Sequence, residues 1–460
     1  MSTRRTFLKH AAAGAALSAP LILTGRRTAA QQANGGDNAL RIAAIGVGGS
    51  RGRYSQGGWI ARAAAGHGQM IAVCDVDDVH TAEFNDSFGG GLAMYRDYRE
   101  LLAKEKPDVV TIGTPDHWHI PIALAALRAG CHVYCEKPLT LTIDEGIAIR
   151  EAVHASGKVF QVGTQQRSEY DRRFLQAIAL VQSGRLGERV QAHVAIESGK
   201  VGGPFPSAAS PEDLDWDMWV GPAPGADYSP ERRAEFRWDF DYSGGKLTDW
   251  GAHHIDIAQW ALGHDRSGPV KIEGQAKFPD LVPTGFDWLA YLNGEGTLPN
   301  GFHTAVNFHI DLEYADGATL SVNDYYRRDD QTRFQNGILF EGERGRIFVN
   351  RERLSGRPVE ELADSDRREL DERIIDLCKG HDVVQQGGHM GNFFACIRQG
   401  GEPVADVDTH HRTMTTAHLC NIAMMLGRPL AWNPDEERFV DDAEAEAFRT
   451  RRQRTEFLAS

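Results

Sequence analysis

The chain has 460 residues, a length that favours two domains over a single hydrophobic core. Hydrophobic residues make up 41% of it and charged residues 25%, as in a typical globular protein. Its 64 acidic and 50 basic residues give a formal charge of −14, which argues against nucleic acid and anionic membranes as partners.

The first thirty residues have the pattern of an export leader. A twin-arginine motif, Thr3-Arg4-Arg5-Thr6-Phe7-Leu8-Lys9, precedes an apolar run over 11–24 and small residues at 28–30. That run is too short for a spanning helix, and no later stretch is long and apolar enough for one. We therefore expect residues 1–30 to send the protein to the periplasm by the twin-arginine route, with 31–39 as a linker.

A glycine-rich turn follows the first predicted strand. Residues 40–45 are apolar enough for a buried strand, and Gly46, Gly48 and Gly52 come directly after it. Glycines there allow a tight turn and let a phosphate approach the backbone at a helix start. The spacing is G-x-G-x-x-x-G, and similar turns without a ligand are common, so the turn alone does not establish a nucleotide site.

An acid at the end of the second strand supports nucleotide binding. The apolar residues 70–74 end in Asp75, which is placed to hydrogen-bond the adenosine ribose hydroxyls. A carboxylate there disfavours a 2′-phosphate and favours NAD, although Arg51 and Arg53 near the turn leave NADP open. The structural alternative is that Asp75 only caps its strand.

Strands and helices alternate from residue 40 to residue 163. Further strands are predicted over 108–113, 132–135 and 159–163, with helices between them. Thr142 and Glu145 form a capping box at the start of one helix, which Gly157 ends. The alternation predicts a doubly wound parallel sheet, which is a Rossmann domain, over residues 40–163.

The strand over 132–135 carries Glu136 and Lys137 to the carboxyl end of the sheet, where open α/β sheets bind ligands. Beside a dinucleotide, Lys137 is placed to exchange a proton with a substrate hydroxyl while a hydride leaves the same carbon. The structural alternative is a lysine that pairs with Glu136 or is solvated at the strand end.

From residue 164 onward the pattern is dominated by strands. A helix with Tyr170 and Phe174 on its apolar face runs to Gly184, and helices return over 389–398 and 412–426. Alternating or β-rich segments between them predict strands over 190–196, 303–312, 318–323, 337–340 and 346–350. We expect an α+β domain over 164–440 with an open, mainly antiparallel sheet, and a charged, solvated tail over 441–460.

The six cysteines show no paired spacing of the kind that binds metal. Cys131 and Cys135 flank an apolar strand and are expected to point into a core. Buried free thiols are therefore predicted, with a disulfide left open for an oxidising compartment.

A second chemical cluster lies in the second half. If a helix begins near Thr248, Asp249 and His253 are four residues apart and share one face. A carboxylate and an imidazole held together make an acid/base pair. The structural alternative is a helix-start aspartate beside a partly buried histidine.

Five motifs together resemble the Gfo/Idh/MocA family of sugar-type oxidoreductases. They are the Gly46/Gly48 turn, the loop 114–119, Glu136-Lys137-Pro138, the stretch 163–167 (Gly-Thr-Gln-Gln-Arg) and Asp249-x-x-x-His253. The stretch Asp215-Trp216-x-x-Trp219-x-Gly221-Pro222 is similar to the exported, planctomycete-like branch of that family. The departures are the longer glycine turn, His117 where asparagine is common, and the additional His254.

The resemblance implies a Rossmann domain, a C-terminal α/β domain whose open sheet often mediates oligomers, and roles for individual residues. Lys137 is implied to be catalytic, with His253 as proton acceptor and Asp249 orienting it. The implied NAD(P) contacts are Gly46, Gly48, Arg51, Asp75, Thr114, His117, Glu136, Lys137 and Gln165. Substrate contacts are expected at Trp118, Arg167 and His254, no metal ligands are predicted, and a homo-oligomer (dimer or tetramer) is expected.

These features predict an NAD(P)-dependent oxidoreductase acting on a hydroxyl of a sugar or sugar derivative. An exported enzyme meets little free NAD, so we expect a tightly held cofactor that is recycled within the site. One alternative is redox-neutral glycoside cleavage through transient sugar oxidation. Others are a metal-assisted lyase or hydrolase using His253, His254 and Asp256, with His389 as an optional fourth ligand, and a non-catalytic carbohydrate-binding protein.

Overall fold

Residues 39–328 and 330–458 are described by a computed structural model of the chain. The expected export leader, residues 1–30, lies outside the described residues, as does nearly all of the expected linker. Within the described ranges, no helix combines the length and the apolar content that crossing a membrane requires.

The first half is built on a parallel sheet. Its strands are β1 (Arg41–Ile45), β2 (Gln69–Cys74), β3 (Ala93–Tyr95), β4 (Val109–Ile112), β5 (His132–Cys135) and β6 (Phe160–Val162). They lie in the order β3-β2-β1-β4-β5-β6, and every neighbouring pair is parallel. This confirms the predicted doubly wound sheet and puts the switch point at the ends of β1 and β4, where such sheets bind ligands.

Helices connect these strands and cover both faces of the sheet. They are α1 (Gln56–Ala65), α2 (Asp78–Ser87), α3 (Tyr98–Glu105), α4 (His119–Arg128) and α5 (Ile143–Ser156). The Thr142 hydroxyl accepts the N–H of Glu145 at the start of α5, and Gly157 ends α5 with a φ of 62°. Both predicted ends of α5 are confirmed.

The second half contains an open sheet. Its strands are β7 (Val190–Ile196), β8 (Lys271–Lys277), β9 (Asn307–Glu313), β10 (Thr319–Asn323), β13 (Asn336–Gly342), β14 (Gly345–Val349), β15 (Leu354–Ser355), β16 (Leu430–Asn433) and β17 (Arg438–Phe439), with a small separate hairpin of β11 (Tyr326–Arg327) and β12 (Arg333–Phe334). The order is β15-β14-β13-β7-β10-β9-β8-β16-β17. Of the described pairs only β7 and β10 are parallel, so the predicted mainly antiparallel sheet is confirmed.

The helices of the second half are α6 (Arg173–Gln182), α7 (Trp216–Val220), α8 (Pro230–Ala234), α9 (Lys246–Asp249), α10 (Gly251–Ala261), α11 (Trp288–Leu292), α12 (Arg357–Glu360), α13 (Asp364–Leu377), α14 (Gly388–Gln399), α15 (Val407–Leu426) and α16 (Ala443–Glu446). Of these, α6, α10 and α15 cover one face of the open sheet. Val194 and Ile310 of the sheet share a core with Ile255 of α10 and Met414 of α15. The alternation of β9, apolar towards this core and polar away from it, is the pattern of a sheet covered on one face.

The helix predicted to run from Tyr170 to Gly184 begins later. Tyr170, Asp171 and Arg172 have φ values of 60°, 53° and 59°, in the left-handed region, and α6 starts only at Arg173. Left-handed backbone costs an L-residue about 1–2 kcal/mol, so three such residues in a row store strain. The apolar spacing of Tyr170 and Phe174 suggested a continuous helix and gave no sign of this turn.

The last long helix begins earlier than predicted. Asp406 caps α15 by accepting the N–H of Thr409 at 2.8 Å, so His410 and His411 lie inside the helix, not before it.

The charged tail, predicted to be solvated, instead packs against the rest of the protein. Ala445 and Phe448 are buried, and Phe457 packs edge-on against Trp118 at a centroid distance of 5.9 Å. The tail returns to the first half because its aromatic rings remove apolar surface from water there.

All six cysteines are free and buried, which confirms the prediction of buried thiols. Burial raises the pKa of Cys131 to about 11 and that of Cys378 to about 12, so both stay protonated.

One long excursion of the second half lies against the Rossmann half. We call residues 211–238 the strap. The N–H of Asp78 donates to the carbonyl of Asp213 at 3.0 Å, and the N–H of Asp215 donates to the carbonyl of Val76 at 2.9 Å. Ion pairs add to these bonds and join Arg51 to Asp213, Arg53 to Glu235, and Arg233 to Asp77. The strap is therefore fixed beside the ends of β1 and β2.

Candidate functional site

A cleft of about 920 Å³ lies where the two halves meet. One side is the carboxyl edge of the parallel sheet, with Gly46 after β1, Thr114 after β4 and Lys137 after β5. The second half contributes Asp249 and His253 to the same cleft. Its volume is at the upper end of those that hold small ligands and cofactors.

The glycine turn is held against the sheet by Asp75. Gly46 has a φ of +73°, and a Cβ there would lie 2.4 Å from Cγ2 of Thr114, so only glycine fits. One carboxylate oxygen of Asp75 accepts the N–H groups of Val47 and Gly48, each at 3.0 Å. Asp75 lines the cleft, but the bonds it makes here fix the turn, and its contact with a ribose stays a prediction.

The start of α1 offers a place for phosphate beside this turn. Ser55 precedes α1 without making a side-chain hydrogen bond to its first turn, and Gln56 lines the cleft. The N–H groups at a helix start, with the positive end of the helix dipole, favour an anion. Turn, helix start and cleft volume together fit a dinucleotide.

Lys137 and Asp249 meet across the cleft. Nζ of Lys137 lies 2.6 Å from Oδ1 of Asp249 and 3.1 Å from its carbonyl oxygen, and Nε of Arg237 donates to the same Oδ1 at 3.3 Å. Burial opposes the charge on Asp249, but Lys137 and Arg237 outweigh it and hold the pKa of that carboxyl well below its usual value. Asp249 therefore stays ionised and fixes the ammonium of Lys137.

Glu136 is bound by two side-chain amides and makes no ion pair with any residue that the structure describes. Its Oε1 accepts Nε2 of Gln165 at 3.1 Å and Nε2 of Gln56 at 3.3 Å. Burial raises the pKa of Glu136. Lys137 bonds to Asp249 instead, so the structural alternative in which Lys137 pairs with Glu136 is wrong. Gln165, predicted as a cofactor contact, lines the cleft with Glu136.

His253 faces the same cleft as a neutral base. The residue is 4% exposed, and its Nδ1 has no hydrogen-bond partner among the described residues. Burial, and then the positive charges of Lys137 and Arg351, hold the pKa of His253 well below its usual value. The imidazole is therefore uncharged at neutral pH, and one of its ring nitrogens carries a lone pair able to accept a proton.

The predicted pairing of Asp249 with His253 is wrong. Asp249 ends α9, His253 lies in the first turn of α10, and the carboxylate bonds to Lys137 and Arg237. Two cations attract a carboxylate more strongly than a neutral imidazole does, and this explains why Asp249 bonds to Lys137 and Arg237. Asp249 orients Lys137, not His253.

Two predicted substrate contacts lie away from the cleft. Arg167 is 1% exposed and forms a two-pronged ion pair with Asp256 at 2.7 and 2.6 Å. His254 is fully buried and its Nε2 donates to Oδ1 of Asn336 at 2.9 Å. Neither lines the cleft, because each is the partner that a buried polar group of the second half requires. Both expectations are wrong.

Two predicted cofactor contacts are also misplaced. His117 is 1% exposed, and its Nε2 donates to the carbonyl of Trp219 at 2.9 Å. Arg51 points to Asp213 of the strap, and Arg53 lines the cleft in its place. Trp118 does line the cleft, but its indole N–H donates to the carbonyl of Met218 at 3.0 Å and the ring is almost fully buried.

The four residues considered as metal ligands do not converge. Asp256 is taken by Arg167, while His389 accepts the Ser168 hydroxyl at Nδ1 and donates to the carbonyl of Val162 from Nε2. Within the described ranges the acidic side chains of Glu402, Asp406 and Asp408 do cluster. Lys379 and Arg266 each pair with Glu402 and Asp406, so two of the three carboxylates already have cationic partners.

Several residues that line the cleft or contact it were not predicted from the sequence. Arg237 is stacked over Tyr54 at 3.8 Å from the ring centroid, and Nζ of Lys246 bonds to Glu197 at 2.7 Å. Trp250 lines the cleft next to Asp249, and its place beside a motif was a usable signal. Single arginines and lysines far from any motif give no such signal.

Arg351 is the most distant of these missed residues in sequence. It follows β14, and its guanidinium lies 4.7 Å from the ring centroid of Trp250 and 4.8 Å from that of Tyr170. The left-handed turn at Tyr170 places that ring against Arg351, so a strained stretch of backbone positions a side chain of the cleft.

Comparison with known proteins agrees with this architecture. Residues 40–164 match the family model GFO_IDH_MocA, described as an oxidoreductase family with an NAD-binding Rossmann fold. Residues 197–286 match GFO_IDH_MocA_C2, the C-terminal alpha/beta domain of the same oxidoreductase family. The two matches fall on the two halves that form the cleft.

Individual relatives are more distant. An inositol 2-dehydrogenase of Salmonella paratyphi B is 31% identical over 126 residues, which are 27% of this chain and 37% of that protein. A D-glucoside 3-dehydrogenase of Escherichia coli is 27% identical over 195 residues, 42% of this chain and 47% of that protein. The chain thus spans less than half the length of these curated relatives.

Among solved structures, the WlbA dehydrogenase of Bordetella pertussis in complex with NADH and UDP-GlcNAcA has a TM-score of 0.59 at 18% identity. The match covers 86% of this chain and 99% of that one. At this identity the likeness concerns the fold.

Proposed function

Since the chain belongs to the Gfo/Idh/MocA family of oxidoreductases, we propose that it is an NAD(P)-dependent oxidoreductase that acts on a hydroxyl of a sugar or sugar derivative. The observation that carries this proposal is the meeting of Lys137 and Asp249, at 2.6 Å, in a cleft that also contains the glycine turn and a neutral His253. The relatives named as inositol and glucoside dehydrogenases support the substrate class.

The cofactor is placed along the carboxyl edge of the sheet. Gly46 and Gly48 leave room for its diphosphate at the start of α1, and Asp75 is near enough to the turn to meet the adenosine ribose. Glu136 and Gln165, on the Lys137 side of the cleft, are placed for the nicotinamide half. When bound there, NAD supplies the acceptor for a hydride from the substrate carbon.

The side chains then handle the proton. The ammonium of Lys137 donates a hydrogen bond to the substrate oxygen and stabilises the negative charge that grows on it. The neutral imidazole of His253 accepts the proton of the hydroxyl. Asp249 holds Lys137 in position by its bond of 2.6 Å. In the reverse direction the same groups return the proton to a carbonyl oxygen.

We propose further that the cofactor is held tightly and recycled in the site. The strap supports this, because Arg53 and Arg233 line the cleft and are each ion-paired across the boundary between the strap and the Rossmann half. Once reduced, such a cofactor is reoxidised by a second sugar or keto compound, or it returns its hydride to the sugar after glycoside cleavage. A burst of nicotinamide reduction by sugar without an added acceptor, followed by absorbance, separates both cycles from turnover with free NAD.

The twin-arginine leader, outside the described residues, supports the proposal that the enzyme is exported to the periplasm. A folded protein that carries its cofactor through export would need the retention proposed above. A homo-oligomer through the open sheet of the second half is proposed on the strength of the family resemblance alone. Fractionation of the producing cells and light scattering of the pure protein test these two points.

The function is tested by releasing and identifying the nucleotide from protein purified without added cofactor. We expect NAD or NADP near one per chain, and reduction of that nucleotide when a suitable sugar is added. Protein that contains no nicotinamide nucleotide and takes up none would contradict the proposal.

A further inference from the structure

We propose that the substrate is a sugar acid and that Arg351 binds its carboxylate. This inference rests on the proposed function and names the class of sugar that the cleft accepts. It comes from the cationic side chains of the cleft, all but one of which have a carboxylate partner.

Eight lysines and arginines line the cleft, and seven of them have a carboxylate partner. The seven pairs are Lys137 and Arg237 with Asp249, Lys200 and Arg53 with Glu235, Lys246 with Glu197, Arg96 with Asp78, and Arg233 with Asp77. Arg351 is the exception. Throughout residues 39–328 and 330–458, no carboxylate lies within ion-pair distance of its guanidinium, and its buried Nε has no hydrogen-bond partner.

The guanidinium is held in a fixed orientation although it has no ionic partner. Cζ of Arg351 lies less than 5 Å from the ring centroids of both Trp250 and Tyr170. The backbone is also clamped, because Nη1 of Arg173 donates to the carbonyl of Arg351 at 3.0 Å and to that of Tyr170 at 3.2 Å. An arginine prepared in this way loses little freedom on binding, and its planar N–H groups match the two oxygens of a carboxylate.

Arg351 is also in the right part of the cleft to touch a substrate. It lines the same cleft as His253, and it stacks on Trp250, the residue that follows Asp249. A half-buried cation without a counter-ion is costly next to a base that must accept a proton. A substrate carboxylate removes that cost, since it neutralises Arg351 and favours the protonated state of His253 during the reaction. A neutral sugar leaves the cost in place.

The test compares matched sugars on the cofactor-loaded protein. Methyl glycosides of glucose, galactose and mannose configuration are titrated by calorimetry next to the corresponding methyl uronides, which differ only in a carboxylate at C6. In the configuration that binds best we expect the uronide to bind about 10- to 100-fold more tightly than the neutral glycoside. Equal or tighter binding of the neutral glycoside, or no binding of any uronide, would overturn the inference.

Variants show whether Arg351 is the residue responsible. Arg351→Gln should remove most of the preference for the uronide and leave binding of the neutral glycoside within about two-fold, with Arg351→Lys in between. Arg353→Gln is the matched control, because Arg353 is an exposed arginine that also stacks on a ring, Phe348 at 4.8 Å, outside the cleft. An equal loss for both sugars in Arg351→Gln, with an unchanged melting curve, would also overturn it.

The outcomes separate this inference from the proposed function. If neutral glycosides reduce the bound nicotinamide and uronides do not, the function stands and the sugar-acid assignment fails. If the protein binds no nicotinamide nucleotide, the function fails whichever sugar is bound. A hexose 6-phosphate is included as a third ligand, and binding of the phosphate in preference to every uronide would contradict the choice of a carboxylate.

Discussion

Nζ of Lys137 lies 2.6 Å from Oδ1 of Asp249, and this contact joins the end of β5 in one half to the end of α9 in the other. The two residues are separated by 112 positions in sequence. Because both side chains are largely buried, at 14% and 13% exposure, the bond is stronger than a surface ion pair and keeps the ammonium at one place in the cleft. In the proposed mechanism this place is beside the oxygen of the substrate.

Replacing Asp249 with Asn should destabilise the protein and weaken catalysis together. The variant keeps the shape of the side chain but leaves Lys137 and Arg237 as two buried cations without their anion, at a cost of about 3 kcal/mol. Urea unfolding measures this loss. Asp280→Asn, at an exposed aspartate, is the control and should change the free energy of unfolding little.

The effect of Asp249→Asn has a defined dependence on pH. The pKa of Asp249 is lowered in the folded state from its ordinary value of 3.8, so its contribution is complete above that value and is lost as the pH falls below it. The difference between wild type and variant should therefore be the same at about pH 6 and pH 8, and should shrink towards about pH 3. A difference that grows in acid would contradict this account.

Much of the Rossmann half could be predicted because its signals are local. Apolar runs ended by Gly46, Asp75 and Glu136 mark strands whose carboxyl ends must meet at one edge of a parallel sheet. Lys137 was placed correctly in the cleft for the same reason. The capping residue Thr142 likewise acts on its own helix, so its role is visible in a short window of sequence.

The rest of the cleft could not be predicted, because its contacts join distant residues. Charge and burial in the folded chain decide that the carboxylate of Asp249 bonds to Lys137 and not to His253. The spacing of residues within a helix does not reveal this partner. Arg351 lies in a hairpin turn that resembles an ordinary exposed turn in sequence. The left-handed backbone at Tyr170, which no residue type there requires, gives it one of its two aromatic partners, and Trp250 is the other.

Buried histidines predict a loss of stability in mild acid. Burial lowers the pKa of His119 to about 4, and that of His410 and His418 to about 3. In the unfolded chain these imidazoles take up protons below their ordinary pKa of 6.5, while the folded chain keeps them neutral. Stability is therefore full above that pH and declines below it, by up to about 1.4 kcal/mol per pH unit for each such group.

Urea unfolding between about pH 5 and pH 8 measures this decline. His410→Asn should reduce the slope, because His410 is buried and neither of its ring nitrogens has a hydrogen-bond partner in residues 39–328 and 330–458. His154→Asn, at a histidine whose side chain is 61% exposed, is the control and should leave the slope close to that of the wild type. Equal stability at both ends of the range would contradict the assignment of these histidines as neutral.

The strap should control how fast the cofactor leaves. Glu235→Gln removes the carboxylate that pairs with Arg53 and Lys200, and we expect the bound nucleotide to dissociate about 5-fold faster as the strap loosens. Glu231→Gln is the matched control, because Glu231 lies in α8, the short helix that Glu235 directly follows, and makes no ion pair with any described residue. Nucleotide release is followed by trapping the free cofactor with an excess of a second dehydrogenase. Unchanged release in Glu235→Gln would show that the strap does not retain the cofactor.

The central claim is that Lys137 acts on the substrate while the cofactor accepts its hydride, and a single-turnover experiment on Lys137→Ala tests it most directly. Sugar is added to cofactor-loaded protein, and absorbance of the reduced nicotinamide is recorded for wild type, Lys137→Ala and the exposed control Lys104→Ala. We expect the rate of Lys137→Ala to fall at least about 1000-fold with its nucleotide content unchanged, and that of Lys104→Ala to stay the same. Reduction of the nicotinamide in Lys137→Ala at the rate of the wild type would contradict the account.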